Sequence, residues 1–267
     1  MKFTDKVVII TGGSQGIGKD IVLNFCKEGA KVAVFDTDEE NGMKLVKQIH
    51  NQDGKISFYK VDVSDHEQVT DTVTEVVTYW GTIDILVNNA AITNPQTTED
   101  IPVQDWKRIV DVNLNGVFVC SQVVSKQMKK KGSGKIVNIS SVAGKRIGFA
   151  SGSAYTASKA GVIGFTRHLA YELAPFGINV NSVCPGGTLT SLYESITDEQ
   201  TLEKRVKSIP YGRLCTPQDI SNAVLFLASP EADMICGVSL DVDGGSMLGW
   251  YNIQDYYANR KRIGEKI

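Results

Sequence analysis

The segment that most constrains the fold is Thr11-Gly12-Gly13-Ser14-Gln15-Gly16-Ile17-Gly18, which follows directly on the apolar run Val7-Val8-Ile9-Ile10. A buried strand, a glycine turn and a helix start make one half of a β-α-β unit, and such units build parallel sheets with helices on both faces. The glycines let the backbone come close to a pyrophosphate, and the free N–H groups at the helix start meet its negative charge. Gly12, Ser14, Gln15, Gly16, Ile17 and Gly18 are therefore candidate dinucleotide-binding residues.

The alternation continues downstream. Strands are expected over 7–11, 31–35, 57–61, 84–87, 135–139, 179–183 and 238–241, with amphipathic helices between them. This is an α/β class: a doubly wound, mostly parallel, seven-stranded Rossmann-type sheet in one dinucleotide-binding and catalytic domain spanning 1–267. Ser64 precedes an acidic first turn, Thr216-Pro217-Gln218-Asp219 has the form of a capping box, and Gly29 and Gly177 mark helix ends. Two segments fit the alternation poorly. Residues 189–210 form an irregular insertion suited to a substrate lid, and 246–267 form a C-terminal extension whose aromatic and basic residues suit a docking surface.

A net charge of −2, with acidic and basic residues interspersed, offers no broad basic face for nucleic acid or anionic lipid. No apolar run reaches membrane-spanning length, and the first strand begins too early to leave room for a signal peptide, so a cytoplasmic protein acting on a small molecule is expected. The five cysteines are scattered and fit small apolar packing positions rather than a disulfide framework or zinc site. His50, His66 and His168 are isolated, and no metal is expected. Asn138-Ile139-Ser140 matches a glycosylation sequon by letter, but it ends an apolar strand.

Tyr155-Thr156-Ala157-Ser158-Lys159 puts a phenol and an ammonium one helical turn apart, and Tyr257 and Lys261 repeat the spacing. The order of motifs resembles the short-chain dehydrogenase/reductase family up to about Gly245. Thr11-Gly12-x-x-x-Gly16-x-Gly18 corresponds to that family's cofactor turn, and Asp62-Val63 to its adenine-contacting pair. Asn88-Asn89-Ala90-Ala91 corresponds to its Asn-Asn-Ala-Gly motif, with Ala91 in place of glycine. Pro185-Gly186-x-Thr188-x-Thr190 resembles its nicotinamide-side loop. The resemblance implies a catalytic tetrad of Asn113, Ser141, Tyr155 and Lys159. Tyr155 would be the general acid/base, Lys159 would also bind the nicotinamide ribose, Ser141 would hold the substrate oxygen, and Asn113 would support a water relay. The stretch from Ser141 to Tyr155 is slightly longer than the family's spacing, so Ser140 and Ser153 stand as alternatives. A homotetramer, with the helices bearing Asn113 and Tyr155 paired between subunits, is also implied.

The implied chemistry moves a hydride between an alcohol carbon and nicotinamide and leaves a proton to be handled at oxygen. An unperturbed phenol titrates near ~10, and a fall of about 2–3 units is needed at neutral pH. The Lys159 ammonium and the positive charge of oxidised nicotinamide both act in that direction. Asp36, directly after the second strand, can accept the adenosine ribose hydroxyls and repels a 2′-phosphate, which favours NAD over NADP. Asn89 and Ala90 are further cofactor candidates, and Thr93, Arg146, Phe149, Gly187 and Tyr193 are candidates for the substrate pocket. The Lys145-Arg146 pair suits an anionic hydroxy compound, while polyols also fit a polar pocket. Two other readings compete with an alcohol dehydrogenase/ketone reductase. One is a 3-oxoacyl-thioester reductase, disfavoured by Asp36; the other is a non-catalytic nucleotide sensor, which would not need Ser141, Tyr155 and Lys159 together.

Overall fold

The structure, a computed structural model, describes residues 1–148, 151–190, 198–249 and 253–264. Among these, seven strands form one parallel sheet: β1 (Val7–Thr11), β2 (Lys31–Asp36), β3 (Lys55–Lys60), β4 (Ile85–Asn88), β5 (Gly134–Ile139), β6 (Ile178–Pro185) and β7 (Ser239–Val242). Every expected strand is present, with its ends shifted by no more than two residues. The helices are α1 (Gly16–Lys27), α2 (Glu39–His50), α3 (His66–Trp80), α4 (Val103–Val110), α5 (Gly116–Lys131), α6 (Ser153–Leu173), α7 (Glu199–Ser208), α8 (Pro217–Ala228) and α9 (Ile253–Gly264).

β1 shows why its sequence is wholly apolar. Val7 and Ile9 join a core with α3, α5 and α6, while Val8 and Ile10 join a second core with α1, α2 and α8 on the opposite face. A strand covered on both sides has no solvent face on which to place alternating polar residues. The strand order is β3-β2-β1-β4-β5-β6-β7, so the chain winds outward from β1 and then returns to lay β4 against β1's other side. At that reversal the loops after β1 and β4 diverge and leave a crevice beyond the carboxyl ends of the strands.

Asn88, at the end of β4, donates from Nδ2 to Ser121 Oγ at 3.0 Å and to Asn138 Oδ1 at 2.9 Å. Asn138 donates in turn to Thr166 Oγ1 at 2.9 Å. This buried chain ties β4, β5, α5 and α6 together, and it holds the sequon asparagine inside the protein. The Thr216–Asp219 capping box is present, whereas α3 is capped by Asp65 rather than Ser64. The Asp65 carboxylate accepts the Glu67 and Gln68 N–H groups, while Ser64 turns to bond Asp62.

Both segments that broke the alternation contain a helix. Asp198 caps α7 by accepting from the Thr201 N–H, and α9 occupies the C-terminal segment. Residues 191–197 of the expected lid, and 250–252 and 265–267 of the extension, lie outside the described residues. All five cysteines are free; Cys120, Cys184 and Cys215 are buried and Cys26 half-buried. Cys236 departs from expectation by being exposed, because it lies on the surface connection into β7. No described helix is long and apolar enough to cross a membrane.

Asn88→Ala strips Ser121 and Asn138 of a buried donor. We expect it to lower unfolding free energy by about 1–3 kcal/mol, measured as a reduced urea midpoint with an unchanged m-value.

Candidate active site

The glycine turn is shaped by two separate requirements. Gly12 and Gly16 have left-handed backbones, with φ of +64° and +54°. Gly18 is required by contact, since a Cβ there would lie 2.0 Å from the Gly12 carbonyl oxygen. Asn89 secures the turn from the neighbouring strand: its Nδ2 donates to the carbonyls of Thr11 and Gly12 at 3.1 and 2.8 Å. The Asn89 and Ala90 N–H groups bond Thr11 Oγ1. α1 begins with no side-chain cap and no acidic residue in its first turn, which leaves its positive end open to an anion.

A cleft of about 350 Å³ opens over this turn. Gly12, Gln15, Gly16, Ile17, Gly18, Asp36, Asp62, Val63, Asn89, Ala90 and Thr190 all line it, as the sequence pattern implies. Ser14 sits behind them, with its N–H donating to Asp36 Oδ2 at 3.0 Å and its hydroxyl buried without a partner. Asp36 Oδ1 accepts the Asp38 N–H, so the carboxylate is fixed at the cleft rim. No motif in the sequence points to Arg108. Reaching over from α4, its guanidinium meets Asp62 at 2.7 Å and Ser64 Oγ at 2.7 Å. Burial raises and these bonds lower the Asp62 carboxyl, and the net effect is downward. An open helix start, a glycine cradle and an unpartnered serine hydroxyl fit a dinucleotide pyrophosphate.

A second cavity, of about 300 Å³, adjoins the first through Ala91, Ile92 and Thr190. Ser141 and Tyr155 both line it, together with Thr93, Arg146, Gly186, Gly187 and Thr188. Pro185 lines neither cleft, because it is still inside β6 and paired with Val242. Phe149 and Tyr193 lie outside the described residues.

Of the candidate serines, Ser141 alone lines the cavity beside Tyr155, and its hydroxyl acts to lower the phenol. Its Oγ also accepts the Ala143 N–H at 3.0 Å. Ser140 instead donates to the Lys159 carbonyl, and the Ser153 hydroxyl is buried without a partner at the start of α6. α6 can approach this turn because Gly144 lacks a Cβ, which would stand 2.8 Å from the Lys159 backbone. Lys159 is fully buried and donates to the Ile139 carbonyl at 2.7 Å, with its ammonium 5.5 Å from the centre of the Tyr155 ring. Burial pushes this ammonium down to about 8. The other Tyr-x-x-x-Lys pair is on α9, where Tyr257 and Lys261 are exposed.

In the protein alone the phenol does not move toward acidity. Burial pushes the Tyr155 phenol up, and the Ser141 hydroxyl acts against it. The same loss of solvent weakens the Lys159 ammonium.

Asn113 does not bond its own helix. It sits in a π-helical turn, Asp111–Asn115, between α4 and α5. Its Oδ1 accepts the Ile92 N–H at 2.8 Å and its Nδ2 donates to the Ile92 carbonyl at 2.9 Å. The side chain thereby pins the loop shared by the two clefts. Lys145 and Arg146 do not act as a pair. Lys145 is held by Asp241 at 2.6 Å and by the Ser239 carbonyl, against β7, and only Arg146 lines the cavity.

Residues 6–201 match the family model described as short chain dehydrogenase. A 3-oxoacyl-[acyl-carrier-protein] reductase, FabG, from Thermotoga maritima is 41% identical over 248 residues, covering 93% of this chain and 100% of the relative. Levodione reductase superposes with a TM-score of 0.88 at 31% identity, over 93% of this chain and 100% of that one. A 3-oxoacyl-[acyl-carrier protein] reductase with bound NAD from Brucella melitensis gives 0.85 at 31% identity, over 91% and 92% of the two chains.

The burial of Lys159 has a consequence for stability. Its folded pKa, about 8, is below the ordinary 10.5, so between these values the unfolded chain holds the extra proton. Stability contributed by this residue therefore rises with pH through that window. Relative to Lys159→Met, the wild-type protein gains on the order of 2 kcal/mol between about pH 7.5 and about pH 9.5 in denaturant titrations.

Proposed function

The chain belongs to the short-chain dehydrogenase family, and on that premise we propose that it is an NAD-dependent oxidoreductase interconverting a secondary alcohol and its ketone. The observation that carries the reading is the meeting of Ser141 and Tyr155 in a cavity that opens into the glycine-turn cleft. In the oxidative direction Ser141 holds the alcohol oxygen and Tyr155, as phenolate, takes its proton. Bound NAD supplies the acceptor for the hydride that leaves the carbinol carbon. Lys159 holds the ribose and faces the phenol, and Asn113 keeps the Ile92 loop in register with both clefts. The rest of the reading assigns 189–210 as a lid over the substrate and makes the protein a cytoplasmic homotetramer. The exposed Phe118 on α5 and Tyr171 on α6 support pairing of those helices between subunits.

The preference for NAD is supported by charge. Asp36, Asp38 and Asp62 line the dinucleotide cleft, and Arg108, the only guanidinium lining it among the described residues, is engaged with Asp62. A 2′-phosphate would add negative charge beside the fixed carboxylate of Asp36. The second reading is a 3-oxoacyl-thioester reductase, favoured by the name of the Thermotoga maritima relative. It uses the same hydroxyl and phenol and differs only in substrate and cofactor.

Tyr155→Phe should retain dinucleotide binding by calorimetry and lose turnover by a factor on the order of 10²–10⁴. Intact turnover in that variant would contradict the acid/base role. With the wild-type protein, kcat/KM should favour NAD over NADP by at least about tenfold, and Asp36→Ser should shrink this ratio by about as much. Equal or better efficiency with NADP would support the thioester reading.

A further inference from the structure

The two adjoining clefts have opposite charge. Three carboxylates and one arginine line the dinucleotide side, whereas the substrate cavity has Arg146 and Arg205 and no aspartate or glutamate among its described lining residues. Arg146 is held in place by neutral groups: it donates to the Ser246 carbonyl at 2.7 Å and to Ser246 Oγ at 3.2 Å. Asp243 stands one step further back and organises that loop. Its carboxylate accepts the Gly245 N–H, the Ser246 hydroxyl and the Met247 N–H. The arginine is thus fixed on the cavity wall, and among the described residues no carboxylate bonds it. In the same cavity the Thr93 hydroxyl is buried and has no partner.

A guanidinium on a wall without acid, opposite a hydroxyl–phenol pair, recognises one kind of molecule. Resting on the alcohol–ketone reading above, we propose that the substrate is a small hydroxy or oxo compound carrying an oxyanion, carboxylate, phosphate or sulfonate. The oxyanion lies on Arg146 with Thr93 as an added donor, and the reacting oxygen lies at Ser141 and Tyr155. Lys145, whose ammonium is held against β7 by Asp241, takes no part.

The test compares matched pairs in NAD reduction: hydroxybutyrate with hydroxybutyramide, and dihydroxypropanesulfonate with glycerol. For at least one pair the anion should have a kcat/KM at least about tenfold above its neutral partner. Arg146→Gln should cut that ratio by about tenfold, Arg146→Lys should keep part of it, and Lys145→Gln should leave it unchanged. General damage to the cavity would lower both members of a pair and spare the ratio. If an Arg146 variant fails to fold, the wild-type protein still decides: KM for the anion should rise with ionic strength while that for the neutral partner stays level. Turnover with a ratio near one, a ratio insensitive to Arg146→Gln, or equal salt responses overturns the anion site and leaves the alcohol–ketone reading standing. Absence of turnover with every alcohol and ketone offered, anionic or neutral, overturns both.

Discussion

A buried ammonium is the constraint on which the site depends. Lys159 has no solvent of its own, and the Ile139 carbonyl at the end of β5 is its hydrogen-bond acceptor. That bond fixes the height of α6 over the sheet. The Ser140 hydroxyl fixes it a second time through the Lys159 carbonyl, and Gly144 leaves the space for the helix to come so close. Tyr155, a turn earlier on the same helix, is thereby set beside Ser141 at the mouth of the crevice. A charge placed without water is costly, and here the cost appears as a weakened ammonium and a phenol reluctant to ionise. The site is prepared in position before it is prepared in charge.

The parallel sheet supplies the other half of the arrangement. Its reversal between β1 and β4 opens the crevice, the Asn89 amide closes the glycine turn, and the Asn113 amide pins Ile92 on the wall common to both clefts. Rigid backbone in this position lets two pockets of opposite charge stand side by side. Carboxylates crowd the dinucleotide side around Asp36, and arginine faces the substrate side.

Much of this was legible in the sequence where the cause is local. The strands announce themselves by unbroken apolar runs, because both faces of each are covered, and the glycine turn by residues no other type can replace at Gly12 and Gly18. Long-range partners were not legible. Nothing in the spacing foretells that Arg108 crosses from α4 to Asp62, or that Lys145 turns to β7 while its neighbour Arg146 turns to Ser246. Two Tyr-x-x-x-Lys pairs look alike as letters, and only burial separates Tyr155 from Tyr257. The serine ambiguity was of the same kind. Ser140 and Ser141 leave the strand in succession, and the chain's turn sends one hydroxyl to the Lys159 carbonyl and sets the other residue in the cavity beside Tyr155. The direction of the phenol in the protein alone was not legible, because the desolvation that Tyr155 and Lys159 share depends on how α6 packs over the sheet.

The central claim is that Tyr155 becomes acidic only when positive charge joins it in the buried site. The most direct measurement is an ultraviolet titration of its ionisation, taken as the difference between wild-type protein and Tyr155→Phe, with and without NAD. The account predicts a phenol titrating above ~10 in the protein alone and falling by about 2–3 units when NAD is bound. An identical titration in the two states would contradict it.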